Sequence, residues 1–309
     1  MKIYQSLTEF VKVPHAVVTI GTFDGVHVGH QQIIKHLKAA ATLINGQTVI
    51  LTFFPHPRLV LYPHDESLKL LNTLAEKIVR LTNHGIDHLF IHPFSNECAQ
   101  LSYHDFVEQV LVAKIGVEKL VIGYDHRFGK DRAGSFEQLR VLAPELSFMI
   151  DEIPEQDVNE VTVSSTKIRT AIVSGDVSTA NSYLGYNYMI EGVVVKGKQL
   201  GRSIGFPTAN ISLNDPYKLV PAIGIYAVLV GVENTVYKGM MSIGTNPTVG
   251  GTERTIEVNI LDFDKDIYGQ PITVYFRYYM RPEIKFDGIP ALQQQLHADR
   301  EHALALLGE

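Results

Sequence analysis

The chain has a single cysteine, Cys98, among its 309 residues. No intrachain disulfide can form, and no thiolate cluster can hold zinc or an iron–sulfur centre. Such sparing use of cysteine fits a reducing cytoplasm, the compartment expected for this protein. Long apolar runs are also missing. The longest charge-free stretch, Ala39 to Pro57, is broken by Asn45, Gly46 and Gln47, and the next, Leu219 to Val232, is shorter than the ~20 residues a spanning helix needs. The opening MKIYQSLTEFVKVPHAVV alternates charged and apolar residues, so neither a secretion signal nor a membrane association is expected. Positive charge is in short supply: the net charge is −6, with −4 up to Tyr186 and −2 after it. Neither part carries the field of a nucleic-acid binder. Any polyanion must be held by a few local groups, which suits a phosphate-bearing small molecule.

What is present divides into two patterns. With 45% apolar residues the chain has material for two cores. In the first half the runs HAVVTIGTF, TVILTFF, HLFIHPF, KLVIGYD and SFMIDEI are short and apolar on both faces, as buried parallel strands are. Between them lie GHQQIIKHLKAAATLI, NTLAEKIVRLTNHG and SYHDFVEQVLVAKIG, with helical spacing and, in the last, Ser102 as N-cap. The alternation implies an α/β doubly wound parallel sheet whose ligands lie beyond the carboxyl ends of its strands. From Met189 the pattern changes to MIEGVVVKG, GIYAVLVGV, TVYKGMMSIG, RTIEVNILDF and PITVYFRYYM, β-branched and aromatic strands joined by short turns with no helix between them. That reads as an antiparallel sheet or small barrel, closed by a terminal helix presenting Leu292, Leu296, Ala303 and Leu307. The boundary is drawn where helical character ends, giving domains 1–186 and 187–309.

The segment FDGVHVGH follows the first buried strand and opens a helix. His27 and His30, three apart, share a helix face at its positive end, and Gly29 lets a ligand approach the backbone. Two imidazoles and free N–H groups there would stabilise charge on a phosphoryl group under attack. Taken alone the four-residue pattern is more often a chance pair at a solvated helix start, and as a zinc site it lacks a third ligand. The stretch VSSTKIR, Val163 to Arg169, reads as a second helix start carrying hydroxyls and charge.

In RTIEVNIL the strand period puts Ile256, Val258 and Ile260 on one face and Thr255, Glu257 and Asn259 on the other, so Glu257 is free to face a cleft. PTAN, Pro207 to Asn210, is a turn by composition and offers uncharged oxygens suited to Mg2+ beside phosphates. Gly192 to Lys198, GVVVKGK, nearly matches a phosphate-binding loop, but Gln199 replaces the required hydroxyl and β-branched residues fill it. That stretch is expected to be a strand.

The paired H-x-G-H and S-S-T-x-I-R motifs resemble the nucleotidyltransferase superfamily. More narrowly, Gly21–His30, Phe53–Pro57, Gly123–Gly129 and SSTKIR resemble the FMN adenylyltransferase module of the bifunctional riboflavin kinase/FAD synthetases. Gly197–Asn210, Gly224–Ala227, Ser242–Thr248 and Ile256–Gly269 resemble that family's kinase module. His126 stands where the family usually has an aromatic residue, leaving an imidazole face for stacking. The resemblance implies ATP and riboflavin or FMN as substrates, Mg2+ as cofactor, and two phosphoryl transfers. It implies that His27 and His30 grip the ATP phosphates, supported by Gly21, Phe23, Asp24, Asp125, Ser165, Thr166 and Arg169. For the kinase it implies Glu257 as catalytic base, Thr208 and Asn210 at the metal, and Gly197, Gly201, Arg202, Gly205, Pro207 and Arg281 around flavin and ATP. A chain with one surviving activity, or a flavin sensor without turnover, is the alternative.

Overall fold

A computed structural model describes every residue except 7, 66, 124–126, 154–162, 198–199, 249–250 and 309. Two compact units divide between Ser164 and Ser165, earlier than the boundary drawn after Tyr186. Helices Ser165–Val173 and Val177–Leu184 pack on one another, and the second packs on a strand of the second unit.

The first unit is built on six strands, β1 (Lys2–Tyr4), β2 (Ala16–Ile20), β3 (Gln47–Phe54), β4 (His88–Pro93), β5 (Val117–Gly123) and β6 (Met149–Ile153). Their order is β1-β4-β3-β2-β5-β6 and every pairing is parallel. Five match the expected runs, and β1 is the additional edge strand. Alternate residues supply two cores. Ala16, Val18 and Ile20 face a layer holding Phe106, Val110, Leu111 and Leu139, while Val17, Ile50 and Leu89 face Ile34, Leu37 and Leu81. The latter come from helices α1 (Val28–Leu43) and α3 (Leu74–Asn83), with α2 (Pro57–Leu61) between them in the chain. Helices on both faces explain why the strands read as unbroken apolar runs rather than alternating ones. The helix capped by Ser102 starts as expected, then continues with π-helical bonding over Val107–Ile115. From β2 the chain winds one way through β3 and β4 and the other through β5 and β6. The carboxyl end of β2 is therefore the topological switch point, the place where sheets of this kind bind their ligands.

In the second unit β7 (Met189–Val195), β8 (Ala209–Ser212), β9 (Gly224–Val232), β10 (Thr235–Thr248), β11 (Gly251–Ile260) and β12 (Pro271–Arg281) close into an antiparallel barrel, ordered β10-β11-β8-β7-β12-β9. GVVVKGK contributes its first half to β7, as expected of a strand. One expectation fails: a helical turn, Leu200–Ser203, stands between β7 and β8. It is too short for apolar periodicity to register. Inside the barrel Val228, Val230, Ile272, Val274 and Phe276 are buried. The barrel closes without help, and the helix Ile289–Leu307 lies over β9, β10 and β12. There Leu296, Ala303 and Leu307 meet Ala227 and Met240, cross-strand partners, whereas Leu292 stays outside that cluster.

Candidate active sites

Beyond β2 the backbone turns sharply through Phe23 (φ 49°), Gly25 (φ 87°) and Val26 (φ 39°) before α1 begins. His27 is the N-cap, and its ring Nδ1 accepts the His30 N–H at 3.4 Å. A neutral His27 accepting at Nδ1 carries its proton on Nε2, where it is a donor. The two imidazoles stack, with ring centroids 3.7 Å apart and planes 21° apart. A Cβ on Gly29 would come within 3.2 Å of the His27 ring, so glycine lets that ring lie against the helix start. The Phe23 ring, fully buried, backs His30 at 5.0 Å and fills the space beside Gly21. Among the described residues His30 Nδ1 is buried without a hydrogen-bond partner. Burial first, then the charges of His27 and Lys77, hold His30 well below the usual imidazole range.

Asp24 is buried and accepts the Leu71 N–H at 3.0 Å and the Asn72 N–H at 3.2 Å. It ties the turn to the segment leading into α3. That helix opens with a reciprocal cap: Glu76 N–H donates to Thr73 Oγ1 and Thr73 N–H donates to Glu76 Oε2. One residue on, Lys77 is only 6% exposed, and its Nζ donates to the Thr22 carbonyl at 2.7 Å. Sequence reasoning missed this lysine. Its signal was a cation four residues before Leu81, on the face that α3 buries.

VSSTKIR does open a helix, Ser165–Val173, seated by Ile168 and Ile172 and belonging to the second unit; Ser165 and Arg169 are half-buried and Thr166 is exposed. Asp125 and His126 lie outside the described residues. Phe128 is a core residue, 5.9 Å from the Phe106 ring.

In the barrel, β11 alternates as expected as far as Val258, with Ile256 and Val258 buried and Glu257 half-buried on the opposite face, and beyond it both Asn259 and Ile260 are buried. Glu257 pairs in register with Asn210 of β8. The Thr208 hydroxyl donates to Glu257 Oε2 at 3.0 Å, and Asn259 Nδ2 donates to the Pro207 carbonyl at 2.7 Å. Thr208 precedes β8 and Asn210 lies within it, so PTAN is half turn and half strand. The Asn210 amide rests on Gly197, where a Cβ would lie 2.1 Å from its Nδ2. Gly201 and Arg202 sit in the helical turn, and Gly205, at φ 85°, leads out of it.

Beside Pro207 and Thr208 opens a cavity of about 300 Å3, lined also by Arg202, Ile260, Phe263 and Tyr268. Phe263 and Tyr268 fall within the quoted family motif, yet neither was singled out as a site residue. Arg281 is engaged elsewhere: its Nε and Nη2 clasp both carboxylate oxygens of buried Asp299 at 2.9 and 2.5 Å. Asp299 also accepts from Gln295, so this arginine fastens the terminal helix to the end of β12.

Comparison with known proteins follows the same division. A family model described as FAD synthetase matches residues 11–167, and one described as riboflavin kinase matches residues 184–307. A bifunctional riboflavin kinase/FMN adenylyltransferase of Listeria monocytogenes is 39% identical over 95% of this chain and 93% of its own. The protein of the same description from Escherichia coli K12 is 34% identical over 100% of this chain and 98% of its own. A crystal structure described as a macrolide-efflux protein from Streptococcus pneumoniae has a TM-score of 0.86 at 33% identity, covering 97% of each chain. Among the described residues no helix of this chain is long and apolar enough to cross a membrane. With two family models in series on two different architectures, and relatives matched nearly end to end, the chain belongs to the bifunctional riboflavin kinase/FMN adenylyltransferase family.

Proposed function

We propose that this protein phosphorylates riboflavin with ATP to give FMN, and then transfers the adenylyl group of a second ATP to FMN, giving FAD and pyrophosphate. The observation that carries the reading is the contrast between the two sites. A carboxylate, Glu257, is held by the hydroxyl of Thr208, which itself lines the cavity, whereas stacked imidazoles dominate the turn after β2 and its carboxylate, Asp24, is engaged by backbone amides.

The division suits the chemistry. In the kinase step a primary hydroxyl attacks the γ-phosphorus, the bond to the β-phosphate oxygen breaks, and ADP leaves. The hydroxyl proton needs an acceptor, and Glu257 takes it. In the adenylyl step an FMN phosphate oxygen, already anionic, attacks the α-phosphorus and pyrophosphate departs. No base is required, and positioning with charge stabilisation suffices. His27 and His30 supply that, with Gly21, Phe23 and Asp24 shaping their turn; Asp125, Ser165, Thr166 and Arg169 are assigned to the nucleotide by the family resemblance alone. In the kinase Gly197, Gly201, Arg202, Gly205 and Pro207 form the wall against flavin and nucleotide, and Arg281 acts through the helix it anchors.

Mg2+ fits the kinase residues. Thr208 keeps oxygen lone pairs while donating its proton to Glu257, and Asn210 is seated against Gly197 where no side chain would fit. Uncharged oxygens of this kind hold the ion jointly with phosphates, and its contribution when bound is to offset phosphate charge. The functional modules are 1–186 and 187–309, and the chain works in the cytoplasm on small molecules, without nucleic acid or membrane. Incubation with riboflavin, ATP and Mg2+ followed by separation of the flavins gives FMN and FAD. Recovery of riboflavin alone rejects the proposal.

A further inference from the structure

Resting on the adenylyl-transfer reading above, we propose that Lys77 is a positioning residue of that reaction: its buried ammonium fixes the Thr22 carbonyl, and with it the turn that presents His27 and His30, against α3.

The turn is clamped at two points by one short stretch of chain. The Thr22 carbonyl accepts from Lys77 Nζ at 2.7 Å and from Thr52 Oγ1 at 3.2 Å. Two residues later Asp24 accepts the amides of Leu71 and Asn72, just ahead of the α3 cap at Thr73. Segment 71–77 therefore grips the turn on either side of Phe23, whose ring supports His30. Because Phe23, Gly25 and Val26 all adopt left-handed backbone, the turn has a conformation that most residues avoid and must be held from outside.

A tether alone does not require a charge. Burying an ammonium is unfavourable unless its charge is used or balanced, and a neutral donor or a packed methionine would fill the space. Lys77 is balanced in part: burial lowers its pKa and the nearby Asp24 carboxylate opposes that. Its charge is also felt at His30, together with that of His27. Among the described residues the charged and titratable groups around this turn are Lys77 and buried Glu76 from α3, Asp24 from the turn, and His27 and His30 from the start of α1. A fixed cation behind the two rings disfavours imidazolium and adds to the field that meets a triphosphate.

The test uses the full-length protein with Lys77→Met and Lys77→Arg, measuring FAD formation from FMN and ATP across pH and riboflavin phosphorylation on the same preparations. Lys77→Met is expected to lower kcat for FAD formation about 10- to 100-fold and to move the acid limb of the pH–rate profile upward, because His30 becomes easier to protonate. FMN formation should stay at the wild-type rate. Lys77→Arg, which keeps the charge, should recover most of the lost rate and return the acid limb. A Lys77→Met enzyme with wild-type kcat and an unmoved acid limb overturns the proposal. So does equal loss in both variants accompanied by an equal fall in melting temperature, which would reduce Lys77 to packing. Wild-type protein that makes no FAD overturns the adenylyl-transfer reading itself, a different and separately visible result.

Discussion

The Thr208 hydroxyl donates to Glu257 Oε2 at 3.0 Å across the β8–β11 pairing, so the carboxylate is oriented by a side chain whose own lone pairs stay available. A base held this way loses its function without losing its place when it becomes an amide. Glu257→Gln should lower the rate of FMN formation by about 10²- to 10⁴-fold, the usual worth of a positioned general base. FAD formation from supplied FMN should be unchanged. Assaying the two steps separately on one preparation checks this, and equal damage to both contradicts the division of labour.

His27 and His30 should behave as a unit, because their rings stack at 3.7 Å and the His27 ring accepts the His30 amide. His30→Ala removes a ring at the site of developing charge and should lower FAD formation by about 10²- to 10³-fold. His27→Ala removes both a ring and the cap of α1, so it should add a loss of about 1 kcal/mol in stability. Neither should touch riboflavin phosphorylation. A double variant no worse than the poorer single one would show the coupling in the measured rates.

Much of this was legible in the sequence because the signals were local and repeated. Four of the parallel strands were readable as runs apolar on both faces, the fifth expected run, β6, being largely exposed, and the barrel strands as β-branched segments between turns. The faces of β11 followed from a period of two, which held for Ile256, Glu257 and Val258. What escaped was short or long-range. The turn Leu200–Ser203 holds four residues, too few turns for apolar periodicity to register. Lys77 reads on paper as an ordinary helix lysine, and only the return of α3 beneath the Thr22 carbonyl buries it. Arg281 is placed around flavin and ATP by the resemblance, while its partner Asp299 lies 18 residues on in a separate helix, a pairing that spacing cannot reveal.

The Arg281–Asp299 pair separates a structural role from a binding one. The Asp299 side chain is 4% exposed and that of Arg281 17%, so truncating the acid strands a poorly solvated guanidinium. Asp299→Ala should cost about 3 kcal/mol, the lower end for a broken buried pair because Arg281 also reaches the Pro282 carbonyl. The double variant Arg281→Met/Asp299→Leu should cost less, since no charge is left behind. Denaturant unfolding of both variants measures this. If Arg281 instead touched substrate directly, Arg281→Met would raise KM for riboflavin or ATP with an unchanged unfolding midpoint.

Acid should weaken the first unit before the carboxylates titrate. His30, His84, His88 and His92 all lie below the usual imidazole range, in each case chiefly through burial. His88 shows why: its ring sits between the Tyr4 hydroxyl at 3.1 Å and Gln47 Oε1 at 2.6 Å, holding β1 to the sheet in its neutral form. A group whose folded pKa is depressed favours the folded state while neutral. The unfolded chain takes up its proton near pH 6.5, about the value for a free imidazole, and the folded chain only at lower pH. Stability from these four residues is therefore complete above about pH 6.5 and falls as the pH drops through 6.5 toward the folded values. The melting transition of the first unit should move down between pH 7.5 and pH 5.5 at constant ionic strength, and His88→Phe should shrink that shift. A transition that stays flat over this interval would mean that these imidazoles are protonated as easily in the folded protein as in the unfolded chain.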